Sequence, residues 1–303
     1  MIQAAGLTKK FGPITAVNNV TFTVSTGEVL GFLGPNGAGK STTLRMLAGY
    51  LRPSAGTIAI DGIDMAAGPI AVKKKIGYMP ETTPLYREMT SREYLLFVGE
   101  AHGLADAEGR VEQVIETANL AAIRHQLTGT ISKGYRSRLN FAAAIIHDPP
   151  VLLLDEPTDG LDPNQKNEIR KLIKDLSRNK AIIVSTHILE EVEAMCSRII
   201  IVSEGSIVLD GTANDLRRCV PGGRAAVLAI RPQDKSAAER ALGCALSPLG
   251  AGPAGCERFR LNTDERPARL SARLAEAGIA CEEACCWEAP LDDAFRHLTR
   301  TTE

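Results

Sequence analysis

Gly34-Pro35-Asn36-Gly37-Ala38-Gly39-Lys40-Ser41-Thr42 decides the reading of this chain. The stretch fits the phosphate-binding pattern G-x-x-x-x-G-K-[ST], and its surroundings suit that pattern. The apolar run Glu28-Val29-Leu30-Gly31-Phe32-Leu33 before it reads as a short strand, and 43–49 after it reads as a helix closed by Gly49. Glycines let the backbone fold around a polyphosphate with successive N–H groups pointing inward. The positive end of the following helix gives an anion a second reason to settle there. Lys40 then reaches the β- and γ-phosphates, and the Ser41 hydroxyl is placed to ligate Mg²⁺. A nucleoside triphosphate is the expected ligand.

A nucleotide-hydrolysing site also needs a carboxylate at the end of a buried strand to hold Mg²⁺. Val151-Leu152-Leu153-Leu154-Asp155-Glu156 is near-continuously apolar, as expected of a strand covered on both faces, and ends in that carboxylate. Asp155 is the candidate metal ligand, and Glu156 is placed to polarise an attacking water as general base. A second buried strand, Ala181-Ile182-Ile183-Val184-Ser185-Thr186, is followed by His187.

Around these pieces the pattern alternates strand and helix, which predicts an α/β core with a parallel sheet. Residues 14–17 and 20–24 are β-rich and predict an antiparallel pair; 56–60 with a turn at Asp61-Gly62 predicts a hairpin. Apolar spacing turns helical over 91–127, and a further helix is expected over 137–146, stopped by Asp148-Pro149-Pro150. Composition shifts near Arg217-Arg218-Cys219-Val220-Pro221-Gly222-Gly223, after which lysine nearly vanishes, so a boundary falls there. The expected division is an ATP-binding domain over 1–217, with a helical subdomain at about 85–147, and a small α/β domain over 218–303.

At 303 residues with net charge −1, the chain gives no bulk electrostatic reason to bind nucleic acid. No apolar run approaches the roughly 20 residues that cross a bilayer, and the N-terminus lacks the order of a signal peptide. A cytoplasmic protein is expected. The seven cysteines show no pairing rhythm and read as reduced thiols. The dense patch of Cys281, Cys285 and Cys286 is expected as buried free thiols beside Trp287 rather than as a metal site.

Five blocks, in order, resemble the ATP-binding subunit of ABC transporters over roughly residues 2–217. They are the phosphate loop, Tyr78-Met79-Pro80-Glu81, Ile131-Ser132-Lys133-Gly134-Tyr135-Arg136, Val151 through Asp159, and Ser185-Thr186-His187. The wording of the third block, with Thr158-Asp159-Gly160-Leu161-Asp162-Pro163-Asn164-Gln165, is most similar to type-2 exporter ATPases. Within these it resembles the gliding-motility, multidrug and copper-cluster-assembly members of bacteria. The tail Ala289-Pro290-Leu291-Asp292-Asp293-Ala294-Phe295-Arg296-His297-Leu298-Thr299 also resembles the end of that group.

The resemblance implies a fold and a set of roles. The fold is a P-loop NTPase core with an antiparallel β subdomain, a helical subdomain and a small C-terminal α/β domain. Ser132 and the Gly134 N–H would clamp the γ-phosphate of ATP held by a partner subunit; a hydroxyl at a helix N-terminus suits that task. Lys133 stands where the family has glycine and Tyr135 where it has glutamine. Lys133 either adds charge near the phosphate or faces solvent, and solvent is the preferred reading because Ser132 and Gly134 already supply the clamp. Glu81 replaces a common glutamine and can still approach Mg²⁺ or its water. His187 would sense the γ-phosphate, Asp162 would couple two ATP sites across a dimer, and Phe11 would stack on adenine with Val17 flanking.

The implied function is ATP hydrolysis by a head-to-tail homodimer that drives a membrane permease carried on another chain, for export. The protein would then sit peripherally on the inner face of the bacterial membrane. A soluble ABC ATPase of translation or DNA repair is the alternative. Such proteins carry two ATPase units or a long coiled coil, and this chain has neither. A regulator that no longer hydrolyses conflicts with the presence of Asp155, Glu156 and His187.

Overall fold

The computed structural model describes all residues except 220–223, 264, 289 and 300–303. Val220-Pro221-Gly222-Gly223 of the expected boundary and Ala289 of the tail motif therefore lie outside the described residues.

The chain begins with β1 (Ile2–Phe11) and β2 (Ile14–Val24), paired antiparallel with Ile2 opposite Val24 and Phe11 opposite Ile14. The two runs expected to pair with each other are thus one strand, and their partner is β1. Strand β1 was obscured because its alternation breaks after Ala4: the register shifts there, at Gly6 with φ +61, before Leu7 resumes the core face.

Next come β3 (Val29–Leu33) and α1 (Lys40–Leu47). The helix ends in a Schellman turn, with Gly49 at φ +69 donating to Met46 O and Tyr50 to Arg45 O. A hairpin follows from β4 (Ala55–Ile60) and β5 (Ile63–Asp64), turned by Asp61 and Gly62 at φ +51 and +75. This is the geometry that the right-handed twist of paired strands favours.

After α2 (Pro69–Lys73) and β6 (Ile76–Met79) the chain enters helices α3 (Ser91–Ala101), α4 (Ala107–Thr117) and α5 (Lys133–Ile145). Thr90 and Glu93 close a capping box at the start of α3. Helix α5 begins four residues before the expected position because the Ser132 hydroxyl caps it, accepting from Tyr135 N. The unit closes with β7 (Val151–Asp155), α6 (Pro163–Leu176), β8 (Ala181–Thr186), α7 (Leu189–Met195), β9 (Arg198–Ser203) and β10 (Ser206–Gly211).

These strands form two sheets, ordered β2-β1-β4-β5 and β10-β9-β3-β8-β7-β6. In the second, β9, β3, β8, β7 and β6 run parallel and β10 is antiparallel. Alternate residues of each central strand enter different cores, which explains why the strands are apolar throughout. Leu152, Leu154, Ile182 and Val184 pack with the helices, including Leu95, Val114 and Phe141. Val151, Leu153, Ile183, Leu30 and Phe32 pack with α1 and the antiparallel sheet, including Ile2, Leu7 and Phe22.

The chain divides into two units, Met1–Thr212 and Ala213–Glu303, so the division falls five residues before the expected one. The second unit contains α8 (Ala213–Arg218), β11 (Arg224–Ile230), α9 (Lys235–Leu242), β12 (Ser247–Ala251), β13 (Glu257–Asn262), α10 (Pro267–Glu276), β14 (Glu283–Glu288) and α11 (Leu291–Thr299). Its sheet is antiparallel in the order β12-β13-β11-β14, a β-α-β-β-α-β arrangement. Leu228, Ile230, Phe259 and Leu261 bury one face beneath Leu242, Leu270 and Leu274. The cysteine expectation is corrected: Cys285 and Cys286 are exposed and Cys281 half-buried. Trp287 is instead covered by the Arg260 guanidinium, 3.6 Å from its ring centre.

Candidate active site

The carboxyl ends of the parallel strands carry the polar residues that the apolar runs introduce. In register, Leu33 of β3 lies beside Thr186 of β8, and Ser185 beside Asp155 of β7. The loops that leave these ends surround a cleft of about 430 Å³, lined by Ala16, Asn36, Gly37, Gly39, Lys40, Ser41, Thr42, Glu81, Glu156, Asp159 and His187. Pockets of this size suit small ligands.

Gly34 and Ala38 are buried under the phosphate loop, while Pro35, Asn36 and Gly37 are exposed. Gly39 sits at φ +103, and a Cβ there would meet Ala16 O at 2.4 Å, so only glycine fits. Lys40 Nζ donates to Gly34 O at 2.7 Å and Pro35 O at 3.2 Å, which arches its ammonium back over the loop. Burial lowers the ammonium's pKa, and the carboxylates of Glu156, Asp155 and Glu81 oppose that shift. The first N–H groups of α1 have no intrahelical acceptor and face the same region.

Asp155 is 1% exposed, and its Oδ1 is buried without a hydrogen-bond partner. A buried carboxylate oxygen left in that state calls for a cation or a metal-bound water. The Ser41 hydroxyl and Glu81 line the cleft, and together with Asp155 they offer an all-oxygen donor set of the kind that suits Mg²⁺. Among the described residues no group of three His, Cys, Asp or Glu side chains gathers round one point. That is consistent with Mg²⁺, which keeps waters and substrate phosphates among its ligands.

Glu156 adopts φ +51, a costly conformation for a residue with a side chain. Its backbone N–H donates to Ser185 O, tying the bend to β8. The bend turns Glu156 toward His187, whose Nδ1 lies 2.8 Å from Glu156 Oε1. Burial raises the Glu156 carboxyl, while the hydrogen bond and charge of His187 pull it down.

Two residues of this region were not foreseen. Glu191, on the inner face of α7, is 0% exposed. It accepts from the Thr158 and Thr186 hydroxyls and pairs with Lys166 at 3.0 Å and Arg170 at 3.9 Å. Thr158 follows Glu156 by two residues and Thr186 precedes His187 by one, so this carboxylate holds both loops. Its sequence signal was an acid on the same face as Leu189, Val192 and Met195. Asp159 was likewise passed over as a wall of the cleft.

The other sequence candidates are placed as follows. Ser132 and Lys133 are exposed at the start of α5, Gly134 is buried, and Tyr135 packs against the helical core. The Ser132 hydroxyl accepts as a cap and keeps its proton to donate. Lys133 does not simply face solvent: its Nζ lies 2.8 Å from Asp159 Oδ2. Asp162 caps α6, accepting from Gln165 N. Phe11 is 48% exposed at the end of β1, with the Lys9 ammonium 5.2 Å over its ring. Val17 is fully buried, and its methyl group lies under Gly39, so it supports the loop from beneath.

Comparison with known proteins matches this geometry. A family model described as ABC transporter covers residues 17–159. The linearmycin resistance ATP-binding protein LnrL of Bacillus subtilis (strain 168) is 37% identical over 219 residues, 71% of this chain and 70% of that protein. The daunorubicin resistance ATP-binding protein DrrA3 of Streptomyces coeruleorubidus is 34% identical over 306 residues, 98% of this chain and 95% of that protein, so the likeness runs through the second unit. Among solved structures, the dimeric post-hydrolysis state of the ATP-binding cassette MJ0796 bound to ADP and Pi superposes with a TM-score of 0.66. It is 25% identical and covers 70% of this chain and 98% of that one.

Proposed function

The chain belongs to the ABC transporter ATP-binding family, and from that premise we propose a Mg²⁺-dependent, sandwich-forming dimer that drives a separate permease for export. ATP hydrolysis in the service of transport is the family's activity and this chain's function. The dimer, the metal and the residue roles are our reading. The observation that carries it is the meeting of Glu156 and His187, 2.8 Å apart, at the cleft that also holds Lys40.

Lys40 and the loop N–H groups hold the β- and γ-phosphates. Ser41, Asp155 and Glu81 would hold Mg²⁺, which when bound would supply charge neutralisation to the triphosphate. Glu156 takes a proton from the attacking water, and His187 holds the carboxylate in place and steadies the charge that develops. Phe11 offers its exposed ring to adenine. Ser132 and the N-terminus of α5 close over the triphosphate of the opposite protomer, in keeping with the dimeric state of MJ0796.

Among the described residues no helix is long and apolar enough to cross a membrane; in this reading the permease supplies the span. A groove of about 690 Å³ between core and helices offers it a seat, lined by Tyr50, Tyr78, Pro80, Thr83, Tyr94, Val98, His102 and His147. Tyr50, Tyr86 and Phe97 expose aromatic surface in the same part of the unit, which suits a docked segment. The Glu81 loop connects this groove to the ATP cleft. The resistance roles in the names of LnrL and DrrA3 support an exported natural product as cargo.

The test is Glu156→Gln in the full chain. We expect fluorescent ATP analogues to bind as before and a dimer to accumulate with MgATP, while turnover falls about 10²- to 10⁴-fold. Unchanged turnover would remove Glu156 as the base.

A further inference from the structure

We propose that Lys133 is a positioning residue: paired with Asp159, it fastens the Ser132–Gly134 turn at the start of α5 to the loop after Glu156, so each nucleotide pocket steers the turn that closes the other. The proposal rests on the dimer reading above.

Lys133 occupies the first turn of α5, where the helix dipole disfavours a cation and where no acidic residue of that turn balances it. The compensating charge comes from outside the helix. Asp159, 2.8 Å from the ammonium, provides it, and Lys133 in turn holds the Asp159 carboxyl below the usual carboxylate range. Asp159 also lines the ATP cleft of its own protomer. One ion pair therefore joins a residue of the cis pocket to the turn that serves the trans pocket.

The pair is one of several ties that hold the start of α5 against the loop after Glu156 and against α6, which follows that loop. Ser137 Oγ donates to Pro157 O at 3.0 Å, and Arg138 pairs with Glu168 at 2.8 Å. Gly134 packs so closely on α6 that a Cβ would meet Gln165 Oε1 at 2.4 Å. On its far side the loop is held through Thr158 by Glu191, which also holds Thr186 beside His187. A chain of hydrogen bonds and adjacent residues thus runs from His187 through Thr186, Glu191, Thr158 and Asp159 to Lys133. The ion pair is its solvent-facing link, with the two side chains 65% and 50% exposed, and is therefore the one that can be weakened without emptying the core.

The experiment uses the full chain carrying Glu156→Gln, with MgATP-driven dimerisation followed by analytical ultracentrifugation. Lys133→Met and Asp159→Asn are added singly and together. Exposed ion pairs contribute little each, and a dimer holds two pairs against two bound ATP, so each single variant should raise the ATP midpoint by up to roughly 5-fold. The double variant should be no worse than either single one, and Lys133→Arg should stay within about twofold of the parent. Additive effects would overturn the proposal. So would a lowered midpoint for Asp159→Asn, the result expected if Asp159 restrains a lysine that binds the partner's phosphate directly. If the Glu156→Gln parent forms no ATP-dependent dimer, the dimer reading itself fails and the coupling falls with it. If the parent dimerises and the cycle shows no coupling, only the role of Lys133 is lost.

Discussion

Glu191→Ala tests how the catalytic loops are held. The substitution removes a fully buried carboxylate and leaves Lys166, Arg170 and two threonine hydroxyls facing a cavity. Breaking a buried ion pair by deleting one partner costs about 3–5 kcal/mol, which includes hydroxyls left without an acceptor at about 1 kcal/mol each. The Lys166 and Arg170 side chains are 24% and 19% exposed and can turn partly to water, which places the cost near the lower end, about 3 kcal/mol. For a unit of this size, 1 kcal/mol moves Tm by about 2–4 °C, so a drop of about 6–12 °C is expected. Glu191→Gln keeps the shape and an acceptor for the threonines but loses the charge, and should cost about 1–2 kcal/mol. The only tryptophan of the chain, Trp287, lies in the second unit, so the loss is read by circular dichroism rather than by emission. At temperatures where the variants stay folded, kcat should fall for both, because Thr158 and Thr186 flank Glu156 and His187. A Tm drop below about 2 °C for the alanine variant would refute the reasoning.

Four further outcomes are expected. Because burial raises the Glu156 carboxyl and Glu156 must be ionised to act as base, the acid limb of the kcat–pH profile should lie above the ordinary glutamate range. His187→Ala removes the group that lowers this pKa and should shift the limb further up; a downward shift would contradict the assignment. The same raised pKa means that the folded state binds this proton more tightly than the unfolded chain. The ionised carboxylate then costs stability above the raised pKa, and this cost fades as pH falls to the ordinary glutamate range. Glu156→Gln should accordingly melt higher than the parent at pH 8, with the gap closing in acid; an equal Tm at both pH values would count against it. Gly39→Ala forces a side chain to φ +103 against Ala16 O, and should cost about 1–3 kcal/mol in denaturant titration and weaken fluorescent-nucleotide binding at least about tenfold.

Much of the site was legible because its chemistry is local in the chain. The phosphate loop is a run of adjacent residues whose glycines are required by backbone geometry, as Gly39 shows. The apolar run 151–154 had to be a strand covered on both sides, and its alternate residues do enter two cores. The residues misplaced are those whose environment comes from elsewhere. Strand β1 was missed because a shift in register breaks its alternation, and only pairing with β2 and β4 reveals it. Val17 read as a wall for the base, yet the phosphate loop folds over it. Cys285 and Cys286 read as buried because they flank a tryptophan, but the arginine on β13 covers that ring instead.

The sequence by itself pointed to a triphosphate site at Gly34 through Thr42, and it determined that Asp155 and Glu156 stand at the end of a buried strand and that two α/β units are joined. Those properties depend on backbone conformation and hydrophobic periodicity, both of which are set by neighbouring residues. Only the tertiary structure decided that His187 meets Glu156, that Glu191 holds the loops of both, and that Lys133 spends its charge on Asp159. Lys133–Asp159, Glu156–His187 and Thr158–Glu191 join residues 26 to 33 positions apart, brought together by strands laid side by side and helices packed across them. The strength of each depends on burial and geometry that no local pattern encodes.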